Sequence, residues 1–168
     1  TTFGNTDVDT ATRNTLHILE LAGRDDIPVA RGPGRSLLKP FQRGADHVHG
    51  ADGLGDVGVP EPRGRAVDES APDLIVRMAH EHPGEITLCP VGPITNVALA
   101  LAKAPQTAKL LKRIVVMGST IFHPGIHGIP SPMADANFWN DPEAAQIVLR
   151  SGAEITLVGM DVTMKVLL

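Results

Sequence analysis

The chain has 168 residues, of which 42% are hydrophobic and 20% charged, and its net charge is −4. This length and composition are typical of one soluble globular domain with a hydrophobic core. We find no run of basic residues, no signal peptide and no apolar stretch of membrane-spanning length, so we expect no nucleic-acid or membrane partner and a cytoplasmic location.

Residues 1–5 are typical of a strand end followed by a turn, and a helix is predicted over residues 7–21. Thr6 is the expected N-cap of this helix and Gly23 its C-cap. The apolar residues of the helix recur at helical spacing and predict one buried face, formed by Val8, Ala11, Ile18, Leu19 and Ala22. Residues 27–30 are a candidate for a short strand.

Residues 31–69 are rich in glycine, proline and charge, so we interpret them as a long excursion that includes a flexible lid. Residues 53–58 match the dinucleotide pattern GxGxxG. No predicted strand precedes this match, and prolines at 60 and 62 exclude a helix directly after it, so the match is weak.

His47 and His49 could bind a metal, but no third ligand is near them in the sequence. On spacing alone, surface histidines without a ligand are the favoured interpretation.

From residue 70 onwards, helices and strands alternate. Helices are predicted over residues 70–82, 93–104, 107–111 and 142–150, and strands over residues 86–91, 114–117 and 154–158. The helix at 142 has the clearest beginning, with Asp141 as N-cap and Pro142 at its first position.

Cys89 is predicted to be a buried hydrophobic side chain, with a nucleophile as the remote alternative. A single cysteine also excludes a disulfide within the chain, which fits a reducing compartment.

The predicted strands are continuous apolar runs, which indicates a parallel sheet covered on both faces. We therefore expect a single α/β domain over residues 1–168, with an open, mostly parallel sheet flanked by helices and the long excursion at about 31–69. Ligands of such sheets bind beyond the carboxyl ends of the strands. Glycine followed by polar residues occurs after the predicted strands, at residues 4–5, 92–96, 118–120 and 159–163. Caps and turns explain any one of these segments more simply, but the four together predict a ligand site.

The long connection between residues 118 and 141 carries the most distinctive polar side chains. Connections of this length in a compact domain are usually functional or disordered. Asp135, Asn137 and Asn140 stand just before the helix at 142. Amides beside one carboxylate suit a neutral, hydroxyl-rich ligand, whereas a phosphate would call for lysine, arginine or a glycine-rich cradle.

Several short motifs follow one another along the chain, and their order and number make the combination specific. They are Phe3-Gly4-Asn5, Thr12-Arg13-Asn14, residues 48–54 (VHGADGL), residues 92–98 (GPITNVA), Val115-Val116-Met117-Gly118, residues 134–137 (ADAN), residues 141–145 (DPEAA) and residues 159–163 (GMDVT). With these motifs the chain resembles the inosine–uridine-preferring nucleoside hydrolases from residue 1 to residue 168. The resemblance implies a Rossmann-like nucleoside hydrolase fold.

The resemblance also implies a reaction. Such enzymes hydrolyse the N-glycosidic bond of a ribonucleoside to ribose and free base, through a transition state that resembles an oxocarbenium ion. A calcium ion binds the attacking water and the ribose hydroxyls, which is reasonable chemistry for a hard cation with oxygen ligands. An aspartate takes the proton from that water. The implied partner is a small-molecule ribonucleoside.

Motif position implies a role for six residues of this chain. The backbone carbonyl of Thr95 would be a calcium ligand. His49 would lie on the lid near the base and is the catalytic candidate. Met117 would pack beside the sugar. The ribose hydroxyls would be hydrogen-bonded by Asn5, Asp135 and Asn137.

The chain also departs from the family's pattern. The family's aspartate-rich motif, which supplies most calcium ligands and the general base, and its downstream half have no counterpart among these 168 residues. The resemblance therefore implies a domain truncated at both ends, whose exposed apolar faces and strand edges lead us to expect a homo-oligomer. Asp135 stands where glutamate is more usual, Ala136 replaces an aromatic residue, and Ile129 falls where many members have a ribose-binding asparagine.

Two further functions remain open beside nucleoside hydrolysis. The chain is alternatively a non-catalytic, truncated or degenerate paralogue that binds a nucleoside or a partner, as the missing metal ligands suggest. A nucleotide-binding Rossmann domain is the third hypothesis, and it rests on the glycine pattern at 53–58 and the fold class.

Overall fold

A computed structural model of the chain describes residues 1–42, 44–120 and 134–166. Its centre is a parallel sheet with the strand order β1-β2-β3, formed by β1 (Thr87–Leu88), β2 (Arg113–Met117) and β3 (Ile155–Val158). Ile114 in the middle strand is in register with Leu88 on one side and Ile155 on the other. The predicted α/β class with a parallel sheet flanked by helices is confirmed.

The described residues form eight helices. They are α1 (Val8–Leu21), α2 (Asp46–His49), α3 (Ala71–Glu81), α4 (Thr95–Lys103), α5 (Thr107–Leu110), α6 (Ala136–Asn140), α7 (Pro142–Leu149) and α8 (Met160–Thr163). All five predicted helices are present, with ends within two residues of the prediction. Three helices, α2, α6 and α8, were not predicted because four or five residues are too few to display a hydrophobic period.

The hydrophobic core lies between the sheet and helices α3, α4 and α7. In β2 the side chains of Ile114 and Val116 are completely buried, as are Ala98 of α4 and Ala144 of α7. Helices α4 and α7 pack against each other in this core. The beginnings of α4 and α7 are thereby held beside the carboxyl end of β2, where the predicted ligand site lies.

Helix α1 differs from the prediction at its beginning and in its buried face. Its N-cap is Asp7 rather than Thr6, since the Asp7 carboxylate accepts the backbone N–H groups of Asp9 and Thr10, both at 2.9 Å. Ile18, predicted to be buried, is 51% exposed. The predicted apolar face is wrong because α1 buries a largely polar one, formed by Val8, Thr12, Asn14 and His17. Two of these polar side chains, Thr12 and Asn14, are hydrogen-bonded where they are buried.

Two predicted strands are shorter than expected. Residues 27–30 form only a single bridge, between Ala30 and Val67, and the strand predicted over 86–91 is reduced to two residues. Proline lacks the N–H group that a strand ladder needs, and Pro28 and Pro90 lie inside these segments. Cys89, just beyond β1, is exposed, so the prediction of a buried cysteine is wrong.

The excursion at 31–69 is irregular, as predicted, and α2 is its one helix among the described residues. The GxGxxG segment is a turn with neither a strand before it nor a helix after it, so it lacks the context of a dinucleotide site. The predicted flexibility of the excursion stays a prediction. Residue Ile129 and most of the connection between 118 and 141 lie outside the described residues. In the part of the chain that is described, no helix is both long and apolar enough to cross a membrane.

Candidate functional site

The carboxyl ends of the strands meet at a cavity of about 230 Å³. We call it the strand-end cavity; it is lined by Asn5, Val91, Met117, Asp135, Ala136, Asn137 and Met160. Four of the predicted substrate-binding residues therefore meet in one place, although they are spread over more than 130 positions of the sequence. Their roles toward a ligand stay predictions, whereas their convergence is a property of the fold.

Asp135 is held rigidly at the end of the cavity. Its side chain is 1% exposed and caps α6, accepting the backbone N–H groups of Asn137 (2.7 Å) and Phe138 (3.3 Å). The backbone N–H of Ser119 donates to the other carboxylate oxygen. An ionised carboxylate offers about four lone-pair positions. Three are in use, so Asp135 has capacity for about one further donor, such as a hydroxyl of a ligand.

Asn137 joins the ends of two neighbouring strands. Its side-chain amide nitrogen donates to the backbone carbonyls of Met117 (3.0 Å) and Val91 (3.3 Å), and lies 3.1 Å from the sulfur of Met117. Because the amide nitrogen is hydrogen-bonded to backbone carbonyls, the amide oxygen is the atom of this side chain that can accept a hydrogen bond from a ligand hydroxyl. The same bonds fix Met117 on the cavity wall.

Two glycines permit the close approaches that form this wall. A Cβ atom at Gly118 would lie 2.6 Å from the ring of Phe138, so the absence of a side chain lets α6 pack on the end of β2. A Cβ atom at Gly4 would lie 2.8 Å from the ring of Pro93, which fixes the position of Asn5 next to the α4 segment. Ser119 follows Gly118 with a φ of +77°. Such conformations are costly for a residue other than glycine and cluster at functional sites.

Thr95 does not line the strand-end cavity. Its side chain is buried, and its hydroxyl donates to Asp141 at 2.5 Å. It lines a different cavity, together with Ser36 and Leu37. Within residues 1–42, 44–120 and 134–166, no three His, Cys, Asp or Glu side chains are grouped so that they could hold a metal ion. The calcium-binding role of the Thr95 carbonyl therefore stays a prediction.

Of the two histidines in α2, His47 rather than His49 faces a cavity. A second cavity, of about 430 Å³, shares Asn5 and Ala136 with the strand-end cavity. We call it the adjoining cavity; its other lining residues include Lys39, Gln42, His47 and Trp139. His49 is half-buried and lines neither cavity. The structure thus does not bring the predicted catalytic histidine to the ligand site.

The segment that follows His49 is tied to α1 by a hydrogen bond that sequence reasoning missed. The Asn14 side-chain amide donates to the carbonyl of Asp52 at 2.8 Å. The Asp52 carboxylate accepts the N–H groups of Leu54 (2.7 Å) and Asp56 (2.8 Å), and the Asp56 carboxylate accepts those of Ala51 (2.7 Å) and Asp52 (3.2 Å). These two carboxylates stabilise a tight turn, and the bond from Asn14 fixes the position of this turn relative to α1. The only signal in the sequence was the motif Thr12-Arg13-Asn14, because a bond between residues 38 positions apart leaves no local pattern.

This turn should loosen in acid. The N–H groups of Leu54 and then Asp56 lower the pKa of Asp52 below its ordinary value of 3.8. A lowered pKa means that the stabilisation is present above the unfolded pKa and is lost as the pH falls through the folded one. We expect the Leu54 amide proton resonance to titrate with a midpoint below 3.8, and its hydrogen exchange to lose protection below that pH. Asp52→Asn should abolish this titration. A midpoint at the ordinary value would show that the turn does not hold the ionised carboxylate.

The chain matches the model of the inosine-uridine preferring nucleoside hydrolase family over residues 1–168. It is 44% identical over 169 residues to probable uridine nucleosidase 2 of Arabidopsis thaliana, covering 100% of this chain and 52% of that protein. It is 41% identical over 165 residues to a pyrimidine-specific ribonucleoside hydrolase of Citrobacter koseri, covering 96% and 50%.

Solved structures agree with these matches. A plant nucleoside hydrolase superposes with a TM-score of 0.93 at 42% identity, over 98% of this chain and 52% of that one. A purine-preferring ribonucleoside hydrolase from Gardnerella vaginalis gives 0.94 at 37% identity, over 99% and 53%. The chain spans about half the length of the relatives it matches. It belongs to the inosine-uridine preferring nucleoside hydrolase family.

Proposed function

We propose that this chain carries the ribose-binding part of a nucleoside hydrolase site and serves the hydrolysis of ribonucleosides to ribose and free base. The observation that supports the proposal most directly is the strand-end cavity, where Asn5, Met117, Asp135 and Asn137 meet. Family membership makes a ribonucleoside the first ligand to consider. Because the chain spans about half of its relatives, activity of the whole protein is part of the proposal.

The chemistry of the cavity wall suits a ribose ring. The Asp135 carboxylate and the Asn137 amide oxygen are acceptors for the hydroxyls of a sugar, and the exposed amide of Asn5 can both donate and accept. The Met117 side chain provides an apolar, polarisable contact for the face of the ring. No lysine or arginine lines this cavity among the described residues, which favours a neutral sugar over a sugar phosphate.

In the reaction we propose, the bond between C1′ and the base nitrogen breaks while positive charge develops on the ribose ring. The electron pair of the bond leaves with the base, and a water molecule adds to C1′ and loses a proton. An ionised carboxylate fixed beside the sugar favours a transition state of that charge. Asp135 would thus bind the sugar hydroxyls and stabilise the developing cation, because its own position is fixed by three backbone donors.

Calcium is the cofactor that the family implies, and the described residues do not form a site for it by themselves. Calcium takes six to eight oxygen ligands, several of them carboxylates. The Thr95 carbonyl would be one such ligand, yet the Thr95 side chain lines a different cavity. The part of the chain that the structure covers contains no three His, Cys, Asp or Glu side chains grouped so that they could hold a metal ion. We therefore propose calcium as a ligand of a more complete site and assign no step to it here.

The absence of such a cluster within the described ranges also favours a second candidate function. A chain that keeps the sugar-binding wall without a metal site would bind a nucleoside and leave it intact. Binding without turnover is what separates this non-catalytic candidate from the enzyme. The two candidates predict the same ligand, so the experiment has to measure nucleoside binding and ribose release separately.

The test is ribose release from uridine and inosine by the purified chain, with added calcium and with a chelator. Both nucleosides are needed because the similar proteins include pyrimidine-specific and purine-preferring ones. Ribose release that requires calcium would support the proposal, and release that is unaffected by the chelator would overturn the calcium role. If no ribose is released, hydrolysis by this chain is excluded, and calorimetric titration with uridine decides whether the binding function holds.

Asn5→Ala is the informative variant in both assays. The Asn5 side chain is exposed and lines both cavities, so its removal should leave the fold intact. Losing one or two hydrogen bonds to the sugar should weaken uridine binding or kcat/KM by roughly 10-fold. Thermal unfolding of the variant is the control. A variant that melts normally and binds uridine as the parent does would place the sugar elsewhere.

A further inference from the structure

An apolar groove of about 450 Å³ lies beside β1, and no residue of β2 or β3 lines it. We call it the edge groove. Its walls are formed by β1 and the residues after it, by residues 1–2 and 27–30, and by helices α1, α3 and α4. No charged side chain lines it in the part of the chain that the structure describes. The groove is larger than the strand-end cavity and has no part in the proposed function.

A second set of extended segments forms the wall opposite β1. The nitrogen of Thr1 donates to the Ala30 carbonyl at 2.6 Å, and Ala30 forms a parallel bridge with Val67. The N–H of Val67 donates to the Val29 carbonyl at 2.9 Å. These segments therefore lie side by side as the strands of a sheet do, and the edge groove separates them from the sheet formed by β1, β2 and β3.

The two sets of segments come together at one end of the groove. The Asn96 side-chain amide donates to the Thr1 carbonyl at 2.8 Å, and the Thr2 hydroxyl donates to the Pro93 carbonyl at 3.1 Å. Val91 lines both the edge groove and the strand-end cavity. The walls are thus fixed relative to each other at the end of the groove that lies next to the proposed ligand site.

The backbone along the groove has unpaired groups. Among the described strands β1 pairs only with β2 and is an edge strand. The N–H groups of Thr2 and Cys89 donate to no acceptor in the described ranges of the chain. A parallel strand between helices is normally buried on both faces, yet Cys89 is exposed. An open position beside β1 accounts for this exposure, and unpaired strand edges are templates for a further strand.

We propose that the edge groove is an acceptor site for one extended, uncharged segment of a second polypeptide, which binds as a parallel strand between β1 and residues 1–2. Main-chain hydrogen bonds to the two edges would hold it, and its apolar side chains would pack on α1, α3 and α4, as in other complexes formed by strand addition. The parallel orientation follows from the neighbours, since β1, β2 and β3 are mutually parallel. The inference requires neither a nucleoside nor hydrolysis, so it can fail independently of the proposed function.

Cys89 is the only cysteine of the chain and lines the groove, so its reaction with iodoacetamide reports whether the groove is occupied. The probe is a synthetic peptide with a core of about five alternating valine and isoleucine residues and lysines at both ends for solubility. We expect this peptide, near saturation, to slow alkylation by roughly 10-fold, because a bound strand covers the thiol. The same peptide with proline at its centre should not protect, since proline has no N–H group to pair. Equal protection by both peptides, or by neither, would overturn the proposal.

Leu74→Lys and Leu38→Lys are a matched pair. Leu74 lines the groove from α3 and is not part of the hydrophobic core, whereas Leu38 is 71% exposed and lies outside the groove. We expect Leu74→Lys to abolish protection of Cys89, because a charge would be buried against the bound strand, and Leu38→Lys to leave it within about twofold. Circular dichroism checks that both variants fold like the parent. Protection that survives Leu74→Lys would place the peptide elsewhere.

A second copy of this chain is the alternative occupant of the groove. If Cys89 becomes less reactive as the protein concentration rises without peptide, copies of the chain fill the groove and the proposal is wrong. A nitroxide label on the peptide tests the orientation. At the carboxyl end of a parallel strand it should broaden the Asn137 side-chain amide resonance more than at the amino end, because Asn137 donates to the Val91 carbonyl. The reverse pattern would show an antiparallel strand and contradict the proposal.

Discussion

Asp141→Ala is expected to lower the free energy of unfolding by about 3–4 kcal/mol. Asp141 is completely buried. One carboxylate oxygen accepts the hydroxyl of Thr95 (2.5 Å) and the backbone N–H of Leu37 (3.0 Å), and the other accepts the N–H of Ala144 (3.0 Å). Alanine leaves these donors buried without a partner, and each such loss costs about 1–3 kcal/mol.

Urea denaturation of the variant measures this effect, and the chain contains a control for the part that comes from capping alone. Ser70 caps α3 through its hydroxyl and the N–H of Asp73 at 3.3 Å, at an exposed position. Ser70→Ala should therefore cost only about 1 kcal/mol. If Asp141→Ala costs no more than Ser70→Ala, the bonds to Thr95 and Leu37 contribute nothing and Asp141 is an ordinary cap. The cost of Asp141→Asn should fall between these two values. Asparagine keeps one acceptor oxygen, but its N–H₂ group would face a hydrogen-bond donor where the second carboxylate oxygen was.

Asp141 also shows which part of the fold is predictable from sequence. Its role as a helix cap follows from the local order Asp-Pro-Glu, and that prediction is confirmed. The bonds to Thr95 and Leu37 join residues 46 and 104 positions apart, and no local pattern encodes such a distance. Caps, proline positions and apolar runs therefore predict where elements begin and end, whereas the packing that joins them has to be seen in three dimensions.

Helix α1 is the case in which the local pattern misleads. Apolar residues at helical spacing predicted a buried apolar face, but the face that packs against the protein carries Thr12, Asn14 and His17. The cost of burying Thr12 and Asn14 is offset by their hydrogen bonds to the Val8 carbonyl (2.6 Å) and the Asp52 carbonyl. Hydrophobic periodicity cannot detect a face that is buried through satisfied polar groups.

The sequence predicted the position of the candidate site in the fold, but only some of the residues that line it. Polar residues after the strands indicated the edge of the sheet where Asn5, Met117, Asp135 and Asn137 meet. The adjoining cavity was missed, because Trp139 lies in a helix too short to recognise and the segment before α2 shows no period. Spacing could not decide between the two histidines, since the side to which each points depends on a four-residue helix that only the fold reveals.

The second large effect is expected at Asp135, where stability and ligand binding depend on the same carboxylate. Asp135→Asn should lower the free energy of unfolding by about 2 kcal/mol, because an amide cannot accept from Ser119, Asn137 and Phe138 with the strength of a charged group. Urea denaturation measures this loss. The variant should also bind uridine at least 10-fold more weakly, since the remaining acceptor for the sugar hydroxyl is neutral.

Asp135→Ser separates the capping bonds of this carboxylate from its bond to Ser119. Serine is a good N-cap, so it should preserve the bond to the Asn137 N–H, but its single oxygen cannot also reach the N–H of Ser119. The stability that the serine variant loses relative to the parent then measures the contribution of the Ser119 contact, which holds a residue at a φ of +77°. If the serine variant is as stable as the parent, the Ser119 contact contributes nothing to stability. The strained backbone at the end of β2 must then be maintained by the packing of Phe138 on Gly118 instead.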